Sequence, residues 1–195
     1  MPPIADVLGE LEEHGLLLQI DAAFPNVCAL VVGEPVRGAW WAHPRSHDIF
    51  RVNCALAEQE NVMLCKLVSG KRTYVHRTLW PTVLEVARSR EPWQMKTLSI
   101  AGRELLAEVD AHPVQPAGAN RKIASELEAR LLAHADQIHT ESGAHARVLR
   151  SWELWTQEKN YMEEPVTVSD AKRILENRVR ALNQAFNARG RLPWQ

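Results

Sequence analysis

The sequence predicts an α+β fold, mainly α, and three observations carry that prediction. Apolar residues recur at helical spacing in several stretches, most plainly Ala171, Leu175, Val179, Leu182 and Phe186. β-branched and apolar residues crowd positions 62–68 and 73–78, with Ser69-Gly70-Lys71-Arg72 between them as a turn. The composition, 46% hydrophobic and 24% charged over 195 residues, is that of an ordinary globular chain long enough to bury its own core. It excludes a disordered, collagen-like or low-complexity chain.

Each element has its own signal. Ile4, Val7, Leu8 and Leu11 mark a helix over 4–13 that Gly15 ends. The run 16–20 is apolar and of open type, and 25–32 reads as a short helix closed by Gly33. Pro35, Gly38 and Pro44 punctuate a loop. Ser46 is placed as the N-cap of a helix with Ile49, Phe50, Asn53, Leu56 and Ala57 on its face. In the hairpin at 62–78, period-2 alternation puts Met63, Cys65 and Leu67 on one face, toward helices at 46–59 and 79–90. Ser99 caps a helix with Ile100, Leu105, Leu106 and Val109 on its apolar side; 112–119 is a linker, and Asn120 caps a helix carrying Ile123, Leu127 and Leu131. Residues 133–151 read as a second hairpin turning at Glu141-Ser142-Gly143 or as an interrupted helix, the hairpin being favoured. Trp152 and Trp155 belong to a short helix, and Thr167 with Asp170 opens the long last one. Trp80, Trp152 and Trp155 are expected in the core. Two units are expected, 1–92 and 93–195, or one continuous domain.

Cys28, Cys54 and Cys65 are odd in number and lack a C-x-x-C spacing, which argues against disulfides and thiolate zinc and for a reducing, cytoplasmic setting. The N-terminus lacks a basic n-region, and no apolar run approaches 18 residues, so neither a secretory signal nor a membrane span is expected. The net charge is −1, but its distribution is uneven. Residues 1–36 hold six acids and no Lys or Arg, whereas 66–103 hold eight bases against Glu85 and Glu91. Residues 171–195 add six bases against Glu176.

That asymmetry points to phosphate as a partner. Lys66, Lys71, Arg72 and Arg77 lie on the hairpin, where a basic ribbon can follow a nucleic-acid backbone. Trp40 and Trp41, beside Arg45, suit base stacking, and their adjacency sends one of them outward. Ser69-Gly70-Lys71 is not a P-loop, because Cys65 stands at the first glycine position and Arg72 at the Ser/Thr position. His43 and His47, or His139, Glu141 and His145, could donate to a metal; as surface or capping residues they are the more ordinary reading, and no metal or other cofactor is expected. The last helix, at 168–187, is a candidate dimer face if its stripe is exposed.

The order helix, helix, helix, hairpin, helix over residues 4–90 resembles the winged-helix superfamily, whose modules bind nucleic acid or proteins. The second half is a weaker echo, in which the linker at 112–119 leaves no room for a middle helix. Gln19-Ile20-Asp21 also resembles the Gln-hydrophobic-Asp element of bacterial winged-helix DNA glycosylases that unhook interstrand crosslinks. That resemblance implies a hydrolase in which Asp21 handles the water that attacks the sugar carbon and Gln19 helps to place it. A carboxylate can activate water beside an oxocarbenium-like centre, and an extended backbone puts both residues on one face. The main expectation is a nucleic-acid-associated binding protein contacting the backbone through the hairpin. The alternatives are the hydrolase and a protein-interaction module.

Overall fold

A computed structural model describes residues 4–139, 145–162 and 164–195. The first half runs α1 (Ile4–His14), β1 (Leu16–Leu18), α2 (Val27–Val32), α3 (Ser46–Ala57), β2 (Val62–Cys65) and β3 (Thr73–His76). Helices α4 (Trp80–Arg88), α5 (Pro92–Met95), α6 (Ile100–Ala111) and α7 (Asn120–Ala129) follow. The strands β4 (His134–His139) and β5 (His145–Arg150), then α8 (Trp152–Glu158) and α9 (Val168–Ala185), complete the chain. The fold is α+β and mainly α, with two small antiparallel sheets. Among the described residues no helix is long and apolar enough to cross a membrane.

The first sheet has the order β1-β3-β2, with Leu17 opposite Tyr74 and Met63 opposite Val75. Alternation along each strand buries both faces. Leu16, Leu18, Met63 and Val75 enter a core with α4, α8 and α9, while Leu17, Val62 and Tyr74 enter another with α1, α2 and α3. Met63, Cys65 and Leu67 therefore face α4 but not α3, which packs on the opposite face through Ile49, Val52 and Leu56. The sequence reading assumed one buried face, and a sheet covered on both sides overrides it. Gly15 turns the chain from α1 into β1 at φ +72, where a side chain is strained and an added Cβ would sit 2.8 Å from Leu79 Cδ1.

The first core also takes Leu131, Trp152 and Trp155, and Ala171, Leu175, Val179 and Leu182 of α9. The buried interior thus runs across position 92, and the last helix's stripe from Ala171 to Leu182 lies inside this chain rather than exposed for a second copy, whereas Phe186, expected to continue it, is the C-cap and is 37% exposed. A third core joins α6, α7 and the second sheet through Leu105, Val109, Leu127 and Leu149. Residues 133–151 form the hairpin, and the predicted turn at 141–143 lies outside the described residues. The linker at 112–119 is not idle: Val114 bridges Leu149 with hydrogen bonds of 2.8 Å in both directions. The second sheet thereby repeats the pattern of the first, the earliest segment pairing with the last strand.

Some local expectations are corrected. Ser46 and Asn120 are first helical residues, preceded by Arg45 and Ala119 in the cap positions without side-chain caps. Ser99 and Thr167 do cap, accepting from the N–H groups of Gly102 and Asp170. Phe50 and Ile100, placed on buried faces, are 45% and 78% exposed. Each lies at the margin of its stripe, and in α3 Val52 fills the interior instead.

Candidate functional site

Two hairpins set the site. The free edge of β2 and the exposed turn of α3 stand on one side, and β4 with α8 on the other. Between them lies a cleft of about 620 Å³. Its aromatic side is Trp40, Trp41 and Phe50, and its polar groups include Gln19, Arg72, His134 and Asp136. A second pocket of about 190 Å³ shares Leu64, Arg72, Ala135 and Asp136 with it and continues past Lys66, Glu128 and Arg147. The two cavities form one groove.

Four residues singled out in the sequence meet in the cleft: Gln19, Trp40, Trp41 and Arg72. Backbone pairing brings the first and last together, since the Gln19 N–H donates to the Arg72 carbonyl at 2.9 Å. Trp40 and Trp41 occupy a 3₁₀ turn (Trp40–Ala42) with their rings edge to face at 6.0 Å. Trp40 packs on the second core, and Trp41 is 70% exposed. Arg72 has no ion-pair partner among the described residues.

The other cations are committed. Lys71 Nζ donates to Asp21 Oδ2 at 2.6 Å, and Lys66 pairs with Glu128 at 2.6 Å. Arg77 lies over the rings of Trp80 and Tyr161, with its carbon 5.7 and 5.4 Å from the centroids. Arg45 is bound to Asp48 and to the Val32 carbonyl, off the cleft lining. The hairpin is therefore not an unpaired basic ribbon. Its tip also carries the C-terminal segment: the Ser69 N–H donates to the Arg191 carbonyl at 2.7 Å.

Asp21 is separated from Gln19 in role. Its Oδ1 accepts from the N–H groups of Ala23 (3.0 Å) and Phe24 (2.9 Å), an Asx turn, and it is not among the cleft-lining residues. Burial pushes its carboxyl up, but those N–H groups and the Lys71 ammonium outweigh it and hold the group below its ordinary value. His43, weighed as a metal ligand, accepts a hydrogen bond from the Arg45 N–H. Among the described residues no group of three or more His, Cys, Asp or Glu is arranged for a metal; Glu141 lies outside them, as do the side chains of His139 and His145.

Sequence reasoning missed His134. It is 3% exposed, wedged against Trp152 and Trp155 at 5.2 and 5.4 Å, and it lines the cleft. Among the described residues its Nδ1 has no hydrogen-bond partner, and it stands 3.6 Å from Asp136 Oδ1. Burial lowers its pKa against the opposing pull of Asp136, so it is a neutral imidazole at pH 7. Its only sequence signal was membership of an ambiguous segment. The cleft floor adds a pair, Tyr74 O–H donating to Asn53 Oδ1 at 2.6 Å, with burial raising the phenol's pKa. Burial pushes the Cys65 thiol up to about 12, so it is no thiolate nucleophile.

The groove thus offers stacking surfaces, the Arg72 guanidinium with no ion-pair partner among the described residues, and further polar groups and charges of both signs, Gln19, His134, Glu58, Asp136 and Lys159 among them, which suits a flat ligand whose anionic group is placed at Arg72. No protein-family model matches the chain, and neither does any curated protein or solved structure.

Proposed function

We propose that this chain is a nucleic-acid-associated binding protein that holds unpaired nucleotides in its cleft. One observation carries the reading: Trp41 and Phe50 are exposed at the rim of the same cleft that contains the unpaired Arg72. Large exposed aromatics beside a cation are what base stacking and phosphate contact require. The element order and the sheet order β1-β3-β2 support a winged-helix-like unit over residues 4–90. The three free cysteines support a cytoplasmic setting. Binding is favoured over hydrolysis because Asp21 is turned to Lys71 and its own loop, away from the cleft lining.

The experiment is a salt titration with fluorescent single-stranded oligothymidylate and a duplex of equal length. The single strand should bind more tightly, with log affinity falling by about 0.7 per phosphate contact per log unit of salt. Binding of both weaker than about 10⁻⁴ M at physiological salt, below ordinary non-specific affinity, overturns the reading.

A further inference from the structure

The smaller pocket has its own chemistry. Three cations from three segments line it: Lys66 just past β2, Arg72 just before β3, and Arg147 on β5. Two carboxylates line it as well, Glu128 of α7 and Asp136 of β4. Glu128 is 8% exposed and lies between two of the cations, 2.6 Å from Lys66 Nζ and 3.2 Å from Arg147 Nε. Arg147 is steadied further by the Ser125 hydroxyl (3.3 Å) and the Arg121 carbonyl (3.1 Å). Asp136 lies 3.5 Å from Arg150, which also pairs with Glu158. The lining therefore holds three cations against two carboxylates: Lys66 and Arg147 share Glu128, Asp136 pairs with Arg150 outside the lining, and Arg72 has no carboxylate partner among the described residues.

Geometry explains the arrangement. Two hairpins from distant parts of the chain face each other, and each supplies cations. Glu128 keeps Lys66 and Arg147 from repelling one another and holds them at the wall. The space of about 190 Å³ exceeds the roughly 30 Å³ share of one water several-fold, enough for a tetrahedral oxyanion with part of its hydration. Guanidinium groups suit phosphate oxygens through paired N–H donors.

We propose that this pocket is a phosphate-binding site, with Arg72 as the primary ligand and Lys66 and Arg147 as flanking donors. It rests on the cleft reading for the identity of the ligand, naming the place where the backbone phosphate of a bound nucleotide sits. A free phosphorylated small molecule has the same chemistry at this site.

The test is a phosphorus NMR titration of the full chain with inorganic phosphate, chloride holding ionic strength constant. Wild type should show saturable binding. Arg72→Met should weaken it about tenfold or more, the scale of one charged hydrogen bond. Glu128→Gln should strengthen it, because Lys66 and Arg147 are released toward the anion; a merely structural Glu128 would not produce tighter binding. If Glu128→Gln fails to fold, the Arg72→Met arm decides, since that partly exposed side chain has no ion-pair partner among the described residues. No saturable phosphate binding by wild type, or equal binding by wild type and Arg72→Met, overturns the proposal. Oligothymidylate then separates the two ideas. Displacement of phosphate by the oligonucleotide supports both. Phosphate binding with no oligonucleotide binding keeps the site and removes the cleft reading. Oligonucleotide binding untouched by Arg72→Met, where that variant has lost phosphate binding, leaves the pocket as a site for a phosphorylated small molecule and removes it as the seat of a backbone phosphate.

Discussion

Two tryptophans should respond to the same substitution in opposite ways. Trp41 is 70% exposed, while Trp152 is 1% exposed and its Nε1–H donates to the Leu131 carbonyl at 2.7 Å. Trp41→Ala removes little buried surface, so stability should change by no more than about 0.5 kcal/mol. If Trp41 stacks on a base it contributes about 1–3 kcal/mol to binding, so single-strand affinity should fall about 5- to 150-fold. Trp152→Ala empties a core site at a cost of about 3–5 kcal/mol. It also strands the Leu131 carbonyl, a further penalty of about 1–3 kcal/mol. At about 2–4 °C per kcal/mol for a chain this size, melting should fall by at least about 6 °C. Because the first core spans position 92, the loss should appear as one cooperative transition. Fluorescence anisotropy and calorimetry on both variants settle the matter. Unchanged affinity in Trp41→Ala would refute the stacking argument, and two separate melting transitions in Trp152→Ala would refute the shared core.

Gly15→Ala, forced to φ +72 with its Cβ against Leu79, should destabilise by about 1–2 kcal/mol or more in chemical denaturation. The stability contribution of the depressed His134 is present above its ordinary value of 6.5 and lost as pH falls from there toward the folded value, because the unfolded chain takes up the proton first. His134→Phe should flatten that part of an acid stability profile. The Asp21 carboxyl, also depressed, contributes above its ordinary 3.8 and loses that contribution as pH falls below it, so Asp21→Asn should lower stability above that pH and flatten the fall below it.

Local rules read well where one element answers for itself. The stripe of α9, the Ser99 and Thr167 caps, and the strained Gly15 followed from spacing and residue type. The first hairpin was legible as alternating runs around turn residues, while the second was only favoured over an interrupted helix on its Ser-Gly turn signal. Partner choice was not legible. Lys66 and Glu128 are 62 positions apart, and Lys71 and Asp21 are 50, so no window shows that the hairpin's charges are neutralised by acids from elsewhere. The two-faced burial of the first sheet was hidden for the same reason, since α8 and α9, which join α4 on one face, follow long after it, and nothing local says that α3 takes the other. The cleft itself exists only because two hairpins face each other. Trp40, Trp41 and Arg72 were found as stacking and cationic types, and Gln19 as part of an acid-bearing element. Their assembly, and the addition of His134, needed the tertiary structure.

The most direct measurement is photo-crosslinking of the full chain to an oligonucleotide bearing 4-thiothymidine, followed by tryptic mapping of the attached peptide. The account predicts attachment within residues 38–45, the tryptic peptide that carries Trp40 and Trp41 at the cleft rim. Attachment confined to segments that do not line the cleft, such as α6 or the exposed side of α9, would contradict it.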